Sequence, residues 1–407
     1  MEKGISADME KNIPADMEKN ISQTLYFSLL RAAIWGSEPV LPDVLPEDLS
    51  DVIALSLRQG TAPLVFNQML KQPLLMSRLT DKQKLQLKQI CMSNMLEQQK
   101  LLSVLRRTWS ALEQGGVFPV CLKGFGLSVL YPQPYLRVWG DLDVYVGPSQ
   151  YHKAAALLRD AFPDAGHHED ELEELKHYNF TLPEGALVEM HRTSVKLDHP
   201  RDIRTYFPLE DAAVTPQSAR KVTAEDMEIA VPEDRFNVLF TFYHAWDHCV
   251  TETGGMKQVC DVVLLVHAVV GRMGRQPLEA YLRPVLRKMG LMQPWRLFGY
   301  LAVGCLGLKA EEWPLYDDSR WTQRHGARFL AYLLSREPVA RAMSEEESRR
   351  LHGSWNVVYR KLYTFFGRTK DARDVWPYAP SYAWHMFCTI VLKGLRRIIR
   401  REGVIPY

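Results

Sequence analysis

Two aspartates lie in a short segment that alternates polar and apolar residues, and this segment constrains the fold more than any other. Residues 141–146 read Asp-Leu-Asp-Val-Tyr-Val. A β-strand places residues i and i+2 on the same face, roughly 6–7 Å apart. The pattern therefore predicts a strand whose apolar residues point into a core, while Asp141 and Asp143 lie together on the other face.

A third acid follows the same logic. Two carboxylates held this close repel each other unless a cation lies between them or one is protonated, and Mg²⁺ is the natural oxygen-bound partner. Residues 187–191 read Leu-Val-Glu-Met-His, which puts Glu189 and His191 on one face of a second strand. If the two strands are neighbours, three carboxylates can hold two metals about 3.5–4 Å apart. An isolated Asp-x-Asp is also typical of a solvated strand edge or turn.

Residues upstream of the aspartates suit an anionic ligand. Lys123 and Gly124 lie at a predicted strand-to-helix turn, where glycine permits close backbone approach and helix N–H groups favour phosphate. Arg137, four residues before Asp141, can pair bidentately with phosphate oxygens. We therefore expect Lys123 and Arg137 to bind phosphate and to neutralise the charge that develops on it.

Hydrophobic periodicity predicts helices on both sides of a small sheet. Apolar residues recur at helical spacing before the sheet, and residues 81–113 contain neither proline nor glycine. The pattern is helical again after about residue 232. Short strands are predicted at 117–122, 141–146, 177–182 and 186–194, and the last two form a hairpin.

We therefore expect an α+β protein with a compact mixed-sheet core at 116–232. Helical regions at 23–115 and 233–407 flank the core. Residues 1–22 are polar and repeat Met-Glu-Lys with a period of eight. This composition predicts a disordered tail, with a helical cap as the alternative.

The overall composition excludes several classes of protein. With 46% hydrophobic residues and a net charge of +2, the chain is neither wholly disordered nor a protein that coats nucleic acid through bulk charge, although a local nucleic-acid patch stays open. A membrane-spanning helix needs about 18 consecutive uncharged apolar residues, and no stretch of the sequence approaches this length. Six scattered cysteines without a CxxC pair suit a reducing compartment, so we expect a cytoplasmic protein.

Three further features have ordinary and functional interpretations. His244 and His248 share one face of a predicted helix beside Asp247, which is compatible with a zinc hydrolase, a pocket lining or plain helix packing. The acidic run at 169–174 is typical of a solvated helix face or linker. The basic, amphipathic segment at 393–401 favours a solvated helix docked on the domain, or contact with anionic lipid or nucleic acid.

The order and spacing of these motifs resemble an uncharacterised bacterial nucleotidyltransferase-like family within the polymerase-beta-type nucleotidyltransferase superfamily. Flanking segments at 55–64 and 243–261 are also similar to that family. The motifs that carry the resemblance are Leu122-Lys123-Gly124, Tyr131, Arg137, Gly140-Asp141-Leu142-Asp143 and Val188-Glu189-Met190-His191.

The resemblance implies transfer of a nucleoside monophosphate from an NTP, ATP being the expected donor, to an unidentified acceptor hydroxyl with release of pyrophosphate. It implies that Asp141 and Asp143 coordinate two Mg²⁺ ions, with Mn²⁺ as an alternative, and that Glu189 helps one metal to activate the acceptor. Nucleotide or phosphate contacts are expected at Lys123, Gly124, Ser128, Arg137, His191, His244, His248 and Lys257.

Two positions depart from the expected pattern. Phe125 follows Gly124 where the superfamily usually has serine or a second glycine, and Lys257 stands where we expect arginine. Lysine keeps the charge but loses the planar fork of hydrogen-bond donors. Neither change removes a metal ligand, so catalysis is favoured over a non-catalytic binding or regulatory module of the same fold. Asp261 is expected to pair with the histidines or with Lys257. No motif specifies an oligomeric state.

Overall fold

A mixed four-stranded sheet lies in the middle of the chain, with helices before and after it. The computed structural model describes residues 21–335 and 372–399, apart from 168–171, 173–176, 198, 225 and 252–253. The expected tail lies outside the described residues except for Ile21 and Ser22, which begin the first helix. The acidic run, apart from Leu172, and residues 400–401 of the basic segment also lie outside them.

The four strands confirm the predicted mixed sheet. Their spatial order is β1-β2-β4-β3, in which β2 and β4 pair parallel and the other two pairs are antiparallel. The α+β class, with helical regions flanking a small mixed sheet, is therefore confirmed. The strands are β1 (Val120–Cys121), β2 (Asp141–Tyr145), β3 (His177–Thr181) and β4 (Leu187–His191).

Strand β1 is shorter than the predicted strand at 117–122. The backbone N–H of Val117 donates to Leu112 at the end of the preceding helix, and that of Phe118 donates to the Gln150 side chain. Pro119 has no N–H to give to a ladder. The first part of the predicted strand is therefore bonded outside the sheet.

The helices before the sheet follow the sequence pattern closely. The longest one confirms the segment without proline or glycine, and a capping box fixes its start: Thr80 Oγ1 accepts from the Gln83 N–H, and Gln83 Oε1 accepts from the Thr80 N–H. These helices are α1 (Ile21–Trp35), α2 (Ser50–Arg58), α3 (Ala62–Lys71), α4 (Pro73–Met76) and α5 (Asp81–Gln114).

Helices within and after the sheet build the rest of the described structure. Short 3₁₀ segments at Pro134–Leu136 and Ala310–Glu312 and a π-helical turn at Leu301–Cys305 accompany them. They are α6 (Phe125–Ser128), α7 (Gly147–Ala161), α8 (Pro200–Ala213), α9 (Asp234–Thr251), α10 (Met256–Met273), α11 (Arg275–Lys288), α12 (Met292–Tyr300), α13 (Arg320–Ser335) and α14 (Pro380–Ile399).

The apolar positions of β2 and β4 face a core shared with α5 and α7. Leu142 and Val144 in β2, together with Val188 and Met190 in β4, belong to one buried cluster with residues of these helices. A parallel pair needs a crossover, and the chain between β2 and β4 supplies it through α7 and β3. Burial of the apolar face turns the acidic face of β2 and β4 away from this core.

A second hairpin was not predicted from the sequence. Strands β5 (Arg220–Ala224) and β6 (Met227–Val231) pair antiparallel as a separate two-stranded sheet. The two residues between them are Glu225 and Asp226, so the connection has none of the glycine or asparagine that marks a tight hairpin.

Cysteine pairing and helix length add two observations. None of the six cysteines forms a disulfide, and five of them are buried. Across the described ranges, no helix combines the length and apolar character needed to cross a bilayer.

Two glycines in helices provide a test of packing. A Cβ on Gly326 in α13 would lie 2.3 Å from the Tyr300 ring, whereas a Cβ on the exposed Gly271 in α10 meets nothing within 4 Å. Gly326→Ala should lower the free energy of unfolding by about 1–3 kcal/mol through overpacking. Gly271→Ala should raise it by up to about 1 kcal/mol, because alanine favours helix. Urea denaturation measures both, and equal effects would contradict the described packing.

Candidate active site

The acidic side chains of β2 and β4 converge at one place. In the parallel register Asp143 lies opposite Glu189, and Tyr145 lies opposite His191. One carboxylate oxygen from each of Asp141, Asp143 and Glu189 lies within 4.8 Å of the others. The three acids therefore meet, as expected, on one face of the two central strands.

Lys123 lies directly beside the two aspartates. Its Nζ is 2.9 Å from Asp143 Oδ1 and 3.6 Å from Asp141 Oδ2, and its side chain is 16% exposed. Burial alone would lower the pKa of Lys123, but the charges of Asp143 and Asp141 outweigh it and raise the pKa. The lysine therefore stays charged and offsets part of the carboxylate repulsion.

His191 provides the second balancing group. Its Nε2 lies 2.9 Å from Asp143 Oδ1 and 3.4 Å from Glu189 Oε2, while its Nδ1 lies 3.3 Å from the Thr193 carbonyl oxygen. Because both ring nitrogens face oxygen acceptors, a ring protonated on both nitrogens satisfies all of these contacts. We expected His191 to contact the nucleotide, but it is 1% exposed and holds the acids from behind.

The three carboxylates differ in acidity because their neighbours differ. Burial, followed by repulsion from Asp143, raises the pKa of Asp141. Burial acts in the same direction on Asp143, but the Lys123 charge and His191 outweigh it and hold the pKa of Asp143 well below its ordinary value. Burial also acts to raise the pKa of Glu189, but the contacts with His191 and the charge of Lys123 together lower it. Asp143 and Glu189 are thus kept ionised.

The turn after β1 needs its glycine. Gly124 has φ +55°, and a Cβ there would lie 3.3 Å from the Asp141 carbonyl oxygen and 3.4 Å from the Trp139 ring. Ser128, three residues into the short helix that follows, is 2% exposed and donates its hydroxyl hydrogen to the Phe125 carbonyl. Ser128 therefore closes the turn from inside, which differs from the phosphate contact expected of it.

Arg137 is bound to a partner that the sequence analysis did not assign to it. Its Nε and Nη2 donate to the two oxygens of Asp261 at 2.6 and 2.7 Å, and its Nη1 donates to the Gly124 carbonyl at 3.0 Å. The Tyr131 hydroxyl also donates to Asp261, at 2.7 Å. Arg137 is only 3% exposed, so its guanidinium positions the turn instead of reaching for phosphate as expected.

Asp261 likewise differs from the expectation. We expected it to pair with the histidines or with Lys257, but both of its oxygens are taken by Arg137, and one also by Tyr131. The buried network joins the turn after β1 to α10. The Tyr131 hydroxyl and the Arg137 guanidinium both have hydrogen-bond partners in this network, as a buried ion pair requires.

A cleft between the start of β2 and helices α9 and α10 opens beside this cluster. His244, His248 and Lys257, all expected at the site, line it. Burial, followed by the positive charge of Arg137, lowers the pKa of Lys257. The cleft is lined by Lys123, Gly124, Leu127, Arg137, Trp139, Asp141, Phe240, Thr241, His244, Ala245, His248, Lys257, Gln258 and Asp261.

The paired histidines do not form a metal centre in the described part of the chain. The His244 and His248 rings pack edge to face with centroids 4.2 Å apart. Neither belongs to any of the three-residue metal-ligand groups found among the described residues. The geometry therefore favours a pocket lining over the zinc-hydrolase alternative.

Sequence reasoning missed Trp139 as a wall of the site. Trp139 is 4% exposed, packs against the Gly124 turn and lines the cleft. The sequence did offer a clue, because Trp139 lies only two residues before Asp141 and a residue this close to the start of β2 can border the same cleft.

Three carboxylates that converge beside a cleft with cationic side chains could hold the divalent metals used in phosphoryl transfer. The chain belongs to the uncharacterised nucleotidyltransferase family, whose model matches residues 46–307, more than half of its length. No curated protein and no solved structure matches the chain. The resemblance stated from the motifs is confirmed, and family membership supports a nucleotidyltransferase activity.

A further buried carboxyl lies just beyond β4. Glu210 in α8 is 1% exposed and accepts hydrogen bonds from the backbone N–H of Ser194, at 3.0 Å, and from the Ser194 hydroxyl. The same hydroxyl contacts the Tyr206 hydroxyl at 2.8 Å. Burial raises the pKa of Glu210 from its ordinary 4.5 to about 7.

Replacing Glu210 should therefore change how stability depends on pH. Because its pKa is raised on folding, the stability it contributes is fully present below about pH 4.5 and is lost as the pH rises through about 7. Glu210→Gln keeps the shape without the charge, so the fall in free energy of unfolding from about pH 5 to about pH 8 should shrink by about 1–3 kcal/mol. Urea denaturation at each pH measures this. Glu228→Gln, an exposed control, should leave the fall unchanged; an unchanged fall in Glu210→Gln would contradict the assignment.

The Arg137–Asp261 pair predicts strong energetic coupling. Asp261→Asn or Arg137→Met alone leaves a buried partner unbalanced, so each should cost about 3–5 kcal/mol of unfolding free energy. The double variant should cost clearly less than the sum of the two single losses. A double-mutant cycle by denaturation measures the coupling. Additive losses would show that the pair does not form.

Proposed function

We propose that the protein is a Mg²⁺-dependent nucleotidyltransferase that moves a nucleoside monophosphate from an NTP to an acceptor hydroxyl, with ATP as the expected donor. The observation that best supports this proposal is that Asp141, Asp143 and Glu189 converge beside a cleft lined by cationic side chains. The family match supports the class of reaction. The metal, the donor and the acceptor belong to the proposal.

The donor set suits a hard divalent cation. Among the described residues, the buried Oδ2 of Asp143 has no hydrogen-bond partner, so a ligand oxygen is free for a metal. The Lys123 ammonium already lies within 3.6 Å of both aspartates, which shows that the site accommodates positive charge. Asp141, Asp143 and Glu189 would hold Mg²⁺, two ions in the usual arrangement, with Mn²⁺ as an alternative. When bound, the metal stabilises negative charge on phosphoryl oxygens.

Cations around the cleft would bind the triphosphate. Lys123 and Lys257 both line the cleft, and a polyphosphate would supply the negative charge that Lys257 lacks in its buried position. The positive φ of Gly124 lets the backbone come close to a phosphate. In this proposal Arg137 acts as a positioning residue, because its guanidinium fixes the Gly124 carbonyl.

The reaction balances as an in-line displacement. The acceptor oxygen forms a bond to the α-phosphorus of the NTP, the bond from that phosphorus to the bridging oxygen breaks, and pyrophosphate leaves. Glu189 is ionised and, beside a bound metal that would acidify the acceptor hydroxyl, would take up the hydroxyl proton as the new bond forms. His244 and His248 line the other side of the cleft and would orient the nucleotide or the acceptor. Positioning and electrostatics, which the chain provides, do most of the work.

We also propose a domain organisation for the chain. Residues 116–232 would form the transferase core, with helical regions at 23–115 and 233–407. Lys257 and the two histidines come from the later region, so the cleft lies between the core and the helices that follow it.

One observation favours a second candidate, a nucleotide-binding or regulatory protein without catalysis. The Lys123 ammonium offsets part of the carboxylate charge and His191 contacts Asp143, so groups of the chain itself already engage the acids. This candidate predicts nucleotide binding without pyrophosphate release. The two candidates therefore differ in turnover rather than in affinity.

Asp143→Asn should abolish Mg²⁺-dependent pyrophosphate release while the fold remains intact. The asparagine keeps the shape of the side chain but removes the charge that would bind metal. Cell extract supplies the acceptor, the four NTPs are tested as donors, and pyrophosphate is measured with and without Mg²⁺. Thermal shift with Mg²⁺ and NTP reports binding, because a ligand at about 100 times its Kd adds about 2.7 kcal/mol.

Asp226→Asn is the matched control, because its carboxylate lies on the surface beside Arg106. It should leave both readouts unchanged. Equal pyrophosphate release by the wild type and Asp143→Asn would remove the catalytic assignment. Stabilisation by NTP without release in any extract would instead support the binding protein.

A further inference from the structure

Three potential metal ligands meet at a second place, separate from the acidic cluster. His199 and Asp202 lie at the start of α8, and His385 lies in α14. One nitrogen or oxygen from each lies within 4.8 Å of the other two. The side chains are 18%, 9% and 13% exposed, so the group is mostly enclosed between the two helices.

The hydrogen bonds in this group show what a metal would have to displace. His199 Nδ1 accepts a hydrogen bond from the Arg201 backbone N–H at 3.2 Å, so that nitrogen carries no proton. It lies 4.0 Å from Asp202 Oδ1. His385 Nε2 lies 2.6 Å from the other carboxylate oxygen, Oδ2. The two imidazole rings have centroids 4.7 Å apart.

Asp202 supplies the observation that points to a ligand. The residue is 7% exposed, and its Oδ1 has no hydrogen-bond partner among the described residues. A buried carboxylate oxygen without a hydrogen bond is costly, and such a group calls for a missing partner. Because Oδ1 faces the unprotonated nitrogen of His199, no hydrogen bond between them can fill this need.

We propose that His199, Asp202 and His385 bind one Zn²⁺-type ion. Imidazole nitrogen with one carboxylate oxygen is a donor set for zinc rather than magnesium. Bonds of about 2.0–2.2 Å in a tetrahedron set ligand atoms about 3.4 Å apart, which lies between the 2.6 and 4.0 Å separations of the metal-free group. A water or another ligand would complete the coordination.

The ion would tie the last described helix to the body of the protein. Tyr382, one turn before His385 in α14, packs edge to face on Trp246 with ring centroids 5.3 Å apart. Trp246 lies in α9 between the two histidines that line the cleft. Metal binding at α14 would therefore stiffen the helix that forms one wall of the candidate active site.

The position of Arg201 predicts that one substitution should strengthen metal binding instead of weakening it. Its exposed guanidinium lies 3.4 Å from His385 Nδ1, which places the ring proton on Nε2, where it donates to Asp202. Binding a metal at Nε2 moves that proton to Nδ1, where it faces the arginine donor. Arg201→Gln should therefore tighten metal binding, whereas a purely hydrogen-bonded group should gain nothing from this change.

Cobalt provides the test, because tetrahedral Co²⁺ absorbs visible light and substitutes for Zn²⁺. The full chain is stripped with EDTA, dialysed and titrated with Co²⁺ while excess Mg²⁺ blocks the acidic cluster. The wild type should develop the tetrahedral absorption, and Zn²⁺ should displace it. Asp202→Asn and His385→Gln should each weaken binding by about tenfold or more. Arg201→Gln should bind severalfold more tightly.

Two controls separate this site from the proposed active site and from misfolding. Asp143→Asn should keep the cobalt absorption, so failure of the transferase proposal leaves this test intact. Circular dichroism checks each variant, and His385→Gln decides alone if Asp202→Asn does not fold. A wild type without tetrahedral absorption would overturn the proposal. Equal binding by the wild type and His385→Gln would overturn it as well.

Discussion

Buried negative charge is the constraint around which this site is built. Asp143 is almost fully enclosed, yet it lies beside two further carboxylates, an arrangement that is unstable unless positive charge is close. Lys123 from the loop after β1 supplies that charge, and His191 at the end of β4 lies within hydrogen-bond distance of the same carboxylate. The sheet order therefore matters chemically: β2 lies between the strand that leads to the lysine and the strand that carries the histidine. A metal would enter an electrostatic balance that the chain has already prepared.

The fold and the acidic centre could be predicted because their signals are local. Alternation along residues 141–146 and 187–191 sets which side chains share a face, and the observed register places Asp143 opposite Glu189. The proline-free stretch that becomes α5 is equally local. Such patterns report the period of the backbone, which one segment reveals by itself.

The rest could not be predicted because it depends on partners far apart in the chain. Asp261 lies 124 positions from Arg137, and His385 lies 183 positions from Asp202. Charge and spacing suggested phosphate for the arginine, but only the packing of α10 against the turn shows that its fork is occupied. Strands β5 and β6 were missed although they are neighbours in the chain, because the turn between them has no glycine or asparagine to indicate a hairpin. Partner choice is thus a property of the assembled chain.

The Arg137–Asp261 bond has a consequence for how this protein can be divided. The arginine belongs to the sheet portion and the aspartate to α10, so the guanidinium finds its counter-ion only when both portions are present. A fragment that stops at the end of the sheet region would lack both the carboxylate that binds the Arg137 guanidinium and the helix that carries it. The turn that carries Gly124 would then lose the network that joins it to α10, so the geometry beside the acids depends on residues well beyond the sheet.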